Sequence, residues 1–172
     1  MPRRQILSSE EKERLLVVPD DDVLLARMCF LSEHDLALIN KHRRPANRLG
    51  FAVLLCYLRG SGFPPDKNIS PHDGVVSRLA AHLKLQPDLW AEYASREVTR
   101  WEHLAELYRY LELSPFNRAL QKTCIRHLYP HAMRTDKGFL LAEEMLSWLH
   151  NKNVIFPSVD VIERTLAEAA TL

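Results

Sequence analysis

Residues 42–59 read H-R-R-P-A-N-R-L-G-F-A-V-L-L-C-Y-L-R, a basic turn set against the start of a strongly apolar helix. Pro45 has no backbone N–H and a fixed φ, which suits the first turn of a helix and pushes the preceding residues towards an extended turn. A helix is therefore expected from Ala46 to Arg59, with Leu49, Val53, Cys56 and Tyr57 on one face. Arg43, Arg44, Asn47 and Arg48 gather at its N-terminus. Arginine and asparagine pair bidentately with guanine and adenine edges, and a helix N-terminus itself favours phosphate. A solvated basic loop that merely caps a core helix has the same sequence.

The segments on either side share the helical period, and none sustains the alternation of a strand, so the fold is expected to be all-α. Ser8 with Glu11 forms a capping box for a first helix ending near Val17, and Asp20 to Asp22 place carboxylates at the start of a second. Ser32 with Asp35 opens a third, running to about His42. The third and fourth helices, joined by a short turn, make a helix-turn-helix candidate. The stretch G-S-G-F-P-P-D-K-N-I-S-P at 60–71 reads as a linker. Beyond it helices are expected at about 72–84, 87–94, 96–111, 116–134, 139–150 and 158–170. The last two repeat the helix, turn, helix pattern across His150 to Pro157, although Asn-Lys-Asn at 151–153 is also a common helix stop. The expected organisation is two helical modules, 1–62 and 72–172, with 63–71 between them.

A chain of 172 residues with 47% apolar side chains can bury one good core or two small ones, which excludes disordered and collagen-like classes. No apolar run approaches the roughly 18 residues of a membrane helix, and M-P-R-R-Q-I-L lacks the apolar centre of a secretory signal. A soluble, cytoplasmic protein without a membrane partner is the expectation. Cys29, Cys56 and Cys124 are far apart among apolar neighbours and read as reduced core residues. The net charge of +1 conceals a division along the chain. Residues 41–59 carry five Lys or Arg and no acidic residue, and 96–134 carry seven against four, while 1–40 and 135–172 are acidic. Phosphate binding depends on local charge, so a near-neutral total leaves a nucleic-acid surface open.

The sequence carries little catalytic chemistry. Cys124, His127 and His131 lie at helical offsets, but a structural zinc site needs four ligands, no second Cys or His pair is near, and Pro130 is expected to break the helix between the histidines. They read as partly buried core residues. Glu102 and His103 are neighbours in sequence and do not face each other on a helix. Asp20 to Asp22 are better explained as a helix cap than as a metal site, and there is no Gly-rich phosphate loop, G-x-S-x-G or H-E-x-x-H. No catalytic residue, metal or cofactor is expected. Arg118, Lys122 and Arg126, each four apart, form a basic stripe with Arg134 and Lys137 following. Such a stripe tracks a phosphate backbone or is simply a solvated helix face.

Five blocks carry a family resemblance: M-P-R-R-x-I-L-S at the start, R-R-P-A-N-R-L-G-F-A-V-x-L-C-Y-L-R at 43–59, E-Y-x-x-R-x-x-T-R-x-E-H-L-x-E-L at 92–107, T-D-K-G-x-x-L-A at 135–142 and I-x-P-x-x-x-V-I-E-R at 155–164. In this order they resemble the N-terminal region of Tn-three family replicative transposases. The resemblance implies sequence-specific binding of double-stranded DNA at the transposon's terminal inverted repeats, through helix-turn-helix-like modules. It also implies that the acidic catalytic triad lies in a later domain, so that this chain is not itself an enzyme. On that basis Arg43, Arg44, Asn47 and Arg48 are expected to read base edges, with Lys41 and Arg59 as phosphate supports. Arg118, Lys122, Arg126 and Arg134 are expected to follow the backbone, with Arg100 of the T-R pair beside Trp101 joining the DNA-contacting set. Trp101 stands where a second basic residue commonly follows in the family. Arg3 and Arg4 would form an arm into a minor groove. The alternative is a helical protein-interaction domain that pairs with full-length transposase or with itself, mediating assembly or inhibition.

Overall fold

A computed structural model of the chain describes residues 5–172, so Arg3 and Arg4 lie outside the described residues. Among those residues there are ten helices and no strand: α1 (Ser9–Leu16), α2 (Asp22–Met28), α3 (Glu33–Asn40), α4 (Pro45–Arg59), α5 (Asp73–Leu83), α6 (Leu89–Ala94), α7 (Glu97–Tyr110), α8 (Arg118–Ala132), α9 (Gly138–Asn151) and α10 (Val159–Ala170). The all-α expectation and the helix positions hold. The starts follow from capping: Asp21, Ser32, Asn117 and Ser158 accept backbone N–H groups at the heads of α2, α3, α8 and α10. His72 does the same for α5 through Nδ1.

The helices divide into two compact units. One comprises Val17–Tyr110 and contains α2 to α7. Its axis is α4, whose ten residues Leu49 to Leu58 are all buried. An amphipathic α4 with one apolar face was expected, but the helix is enclosed all round, because α2, α3, α5, α6 and α7 each pack against it. Gly50 admits α6 at close range, since a Cβ there would run into the Tyr93 ring. The segment 60–71, expected as a linker, is a folded loop inside this unit. Phe63, Pro65 and Pro71 are buried, and the Asp66 carboxylate accepts the N–H groups of Asn68 and Ile69, each at 2.8 Å. Arg100 of α7 donates to the carbonyls of Pro65 (2.9 Å) and Pro64 (3.3 Å), which holds the loop down. Proline and glycine mark where the chain turns, but they do not say whether the turn is packed.

The other unit joins the described part of Met1–Leu16 to Leu111–Leu172, with α1, α8, α9 and α10. Ile162, Leu166 and Ala169 line one face of α10 and are buried with Cys124, Ile125 and Leu128 of α8 and Leu141, Met145 and Leu149 of α9. Glu163 accepts the N–H groups of Ile6 (2.5 Å) and Leu7 (3.0 Å), and Leu7 is fully buried. Residues 5–7 are thereby pinned to a helix more than 150 positions later. Asn153, with φ of 55°, adopts the left-handed conformation that ends α9, so the Asn-Lys-Asn run is the helix stop its composition suggests. Pro130 does not break α8, which continues to Ala132. Pro130 is exposed, so the Arg126 carbonyl it cannot serve has solvent nearby instead of a dry core.

Candidate nucleic-acid interface

In the α2–α7 unit the basic turn between α3 and α4 reaches solvent. Lys41, Arg43 and Arg44 are exposed, and Pro45 occupies the first helical position of α4. Arg44 is the N-cap in extended conformation and makes no side-chain cap, and the first turn holds no acidic residue. Arg48 is the first residue whose N–H finds a helical partner, the Arg44 carbonyl at 3.0 Å. The positive end of the helix is thus left without the carboxylate or hydroxyl that usually offsets it. Asn47 and Arg48 are half-buried, and Asn47 Oδ1 and Arg48 Nε lack hydrogen-bond partners. The body of α4 from Leu49 to Leu58 is core, so of the helix only its first turn and Arg59 at its end reach solvent.

His42 leaves the basic turn and points inward. Its ring lies 4.4 Å from those of both Phe51 and His103, and His103 Nδ1 is 2.8 Å from the Tyr93 hydroxyl. Burial, reinforced by His42, lowers the His103 pKa to about 4. Glu102 is exposed while His103 is buried, as expected of neighbours on a helix.

Two arginines expected on the DNA surface are engaged inside this unit. Arg100 is 8% exposed and spends its guanidinium on the Pro64 and Pro65 carbonyls. Trp101 beside it is 63% exposed. Arg59 binds Asp35 bidentately, Nη1 to Oδ2 at 2.6 Å and Nη2 to Oδ1 at 2.5 Å. Asp35 also accepts from the Tyr110 hydroxyl (2.7 Å) and the Ser32 N–H (2.9 Å). Burial acts to raise the Asp35 pKa, but the bonds from Arg59, Tyr110 and Ser32 outweigh it and hold the carboxyl well below the usual range. The i,i+3 capping box Ser32–Asp35 is legible in the sequence. The second duty of Asp35, as counter-ion to Arg59, is not.

In the other unit Arg118, Lys122 and Arg126 are all exposed on α8, opposite the buried Cys124, Ile125 and Leu128, so the stripe faces solvent as expected. Burial pushes the Cys124 thiol up to about 12, which suits an inert core residue. Exposed Arg134 and Lys137 flank the start of α9, where Lys137 is the N-cap and again no side chain caps the helix. With Gln5, Ile6, Thr135, Asp136 and Gly138 they line a cleft of about 460 Å³. This second uncapped helix start, where Asp136 stands between the two cations along the chain, is less apparent in the sequence, where T-D-K-G reads only as a turn.

Residues 6–169 match the family described as Domain of unknown function (DUF4158). The chain belongs to this family. It is 80% identical over its whole length to the transposase for transposon Tn2501 of Escherichia coli, and 41% identical over 99% of its length to that of Tn21 from the same species. Against the transposase for transposon gamma-delta of Escherichia coli (strain K12) the identity is 31% over 94% of the chain. The chain spans about 17% of the length of each of these relatives. It therefore carries the DUF4158 domain that Tn-three family replicative transposases share, in agreement with the resemblance carried by the five sequence blocks.

Proposed function

We propose that this domain binds double-stranded DNA at the terminal inverted repeats of a transposon, as the non-catalytic end-recognition part of a transposase. The observation that carries the reading is the start of α4, an uncapped helix N-terminus free of acidic side chains and flanked by exposed Arg43 and Arg44. Such a terminus binds a phosphate through its free N–H groups and dipole, and the arginines add charge and a bidentate fork. Asn47 and Arg48, half-buried in the same turn, carry an amide and a guanidinium that pair with base edges once the side chains swing outward, since Asn47 Oδ1 and Arg48 Nε are buried as they stand. Lys41 adds charge to the same turn, while Arg118, Lys122, Arg126 and Arg134 supply a second basic surface for the phosphate backbone. Arg59 and Arg100 are left out of this surface because both guanidiniums hold the fold together.

The deciding experiment is a gel-shift series with a terminal inverted repeat and a scrambled duplex, repeated across a range of salt. Preference for the repeat that disappears on Arg43→Ala, Arg44→Ala supports the reading. Equal, weak binding to both duplexes sinks it.

An assembly role has one observation in its favour. Val23 and Phe30 are 62% and 70% exposed, and together with Ala26 they form an apolar patch around α2. Pairing of transposase subunits through that patch would appear as concentration-dependent sedimentation that Phe30→Ser abolishes.

A further inference from the structure

Within the unit formed by α1, α8, α9 and α10, two histidines and a glutamate converge on one point. His127 and His131 stand one turn apart on α8, and Glu144 meets them from α9. Nε2 of His127 lies 2.9 Å, and Nε2 of His131 3.5 Å, from the same Glu144 oxygen, Oε1. All three donor atoms fall within 4.8 Å of one another. The Trp148 ring, one turn beyond Glu144, stacks on His127 at 5.6 Å and 24° and so fixes the orientation of that imidazole. The three side chains are between 33% and 41% exposed, which leaves a path for an ion and room for water to complete its shell.

We propose that His127, His131 and Glu144 form a binding site for a zinc-class divalent transition ion, which clips α8 to α9. Zinc bonds of about 2.0–2.1 Å in a tetrahedron place ligand atoms roughly 3.3 Å apart, and the two observed separations straddle that value. Two imidazoles and one carboxylate are a nitrogen-rich set that selects zinc over magnesium or calcium, which prefer oxygen. Solvent takes the remaining position, as in three-ligand zinc sites. The position of the clip has a structural logic. Pro130 lies between the two histidines and removes the backbone bond to the Arg126 carbonyl, so the ion braces α8 across the turn where its own ladder is interrupted. Cys124, the third residue of the sequence cluster, is buried in the core and takes no part. Glu144 supplies the ligand that linear spacing conceals.

The test is a zinc titration of the whole chain against a chromophoric chelator at neutral pH, with cobalt as a spectroscopic stand-in. The parent is expected to take up one equivalent, and the cobalt form to show d–d absorption without a thiolate charge-transfer band. His131→Ala and Glu144→Gln, both at partly exposed positions, are each expected to weaken zinc binding at least about tenfold while retaining the parent's circular dichroism. His34→Ala, His82→Ala, a change of two exposed histidines elsewhere, leaves it unaltered. Zinc retained in both ligand variants, a thiolate band, or a parent that takes up no zinc overturns the proposal. In the last case the histidines are merely hydrogen-bond donors to Glu144.

Discussion

Arg59→Met separates the structural role of this arginine from a DNA-contacting one. The substitution keeps the aliphatic stem and deletes the guanidinium, leaving the Asp35 carboxylate, 1% exposed, with two of its four hydrogen bonds. Removing one partner of a buried ion pair costs about 3–5 kcal/mol. The Arg59 side chain is itself 35% exposed, so water already screens the pair and the lower end applies, about 3 kcal/mol. In a protein of this size each kcal/mol shifts Tm by about 2–4 °C, so calorimetry at pH 7 should show a fall of about 6–12 °C. The acid dependence has a definite sign. The folded carboxyl sits below its unfolded value, so its contribution is complete above the unfolded pKa of about 4 and is lost as pH falls through the folded one. The gap between parent and variant should therefore close in acid, and Asp35→Asn added to Arg59→Met should recover part of the loss at pH 7. A variant melting within about 1 °C of the parent at pH 7 refutes the reasoning and returns Arg59 to the exposed phosphate contacts.

Gly50→Ala drives a methyl group into the Tyr93 ring, which is fully buried and tied to His103, and should destabilise the protein by about 2–3 kcal/mol in urea unfolding. His103, with its pKa lowered to about 4, favours the fold fully above its unfolded value near 6.5 and loses that contribution as pH falls towards 4. His103→Gln should flatten the stability profile within that window, and an unchanged profile assigns the acid sensitivity elsewhere. Lys122→Ala, Arg126→Ala removes two exposed charges from α8 and should lower the slope of log K against log salt by about two while preserving the ranking of duplexes. Altered ranking would instead place α8 against base edges.

The helices were legible where their starts and stops are local chemistry. Asp21, Ser32, Asn117 and Ser158 mark heads, and Asn153 marks an end, without reference to anything distant. The basic surfaces of Lys41, Arg43, Arg44 and the α8 stripe were legible for a similar reason, since charge clustered along the chain stays clustered on one helix. Other features depended on partners far away in sequence. Nothing near Arg59 announces Asp35, and nothing near Arg100 announces the Pro64 and Pro65 carbonyls 36 and 35 residues earlier. The same limit governs the division of the chain. The Gly60–Pro71 run has the composition of a linker, and contacts such as those of Arg100, of buried Phe63, Pro65 and Pro71, and of the Tyr57 hydroxyl, which accepts the His72 N–H at 2.7 Å, make it part of a core.

The pinning of Ile6 and Leu7 by Glu163 bears on the order in which a ribosome can complete this molecule. All of Val17–Tyr110 belongs to one unit, so that unit has its full complement of helices as soon as Tyr110 has cleared the exit tunnel. The other unit takes in α1, which is made before Val17, and waits for α8, α9 and α10. During that interval Leu7 and Leu15, buried in the finished protein, have no core to enter. Slowing translation between Tyr110 and Glu163 lengthens the time those leucines are exposed to chaperones and proteases, whereas a pause before Leu111 leaves the α2–α7 unit free to finish folding.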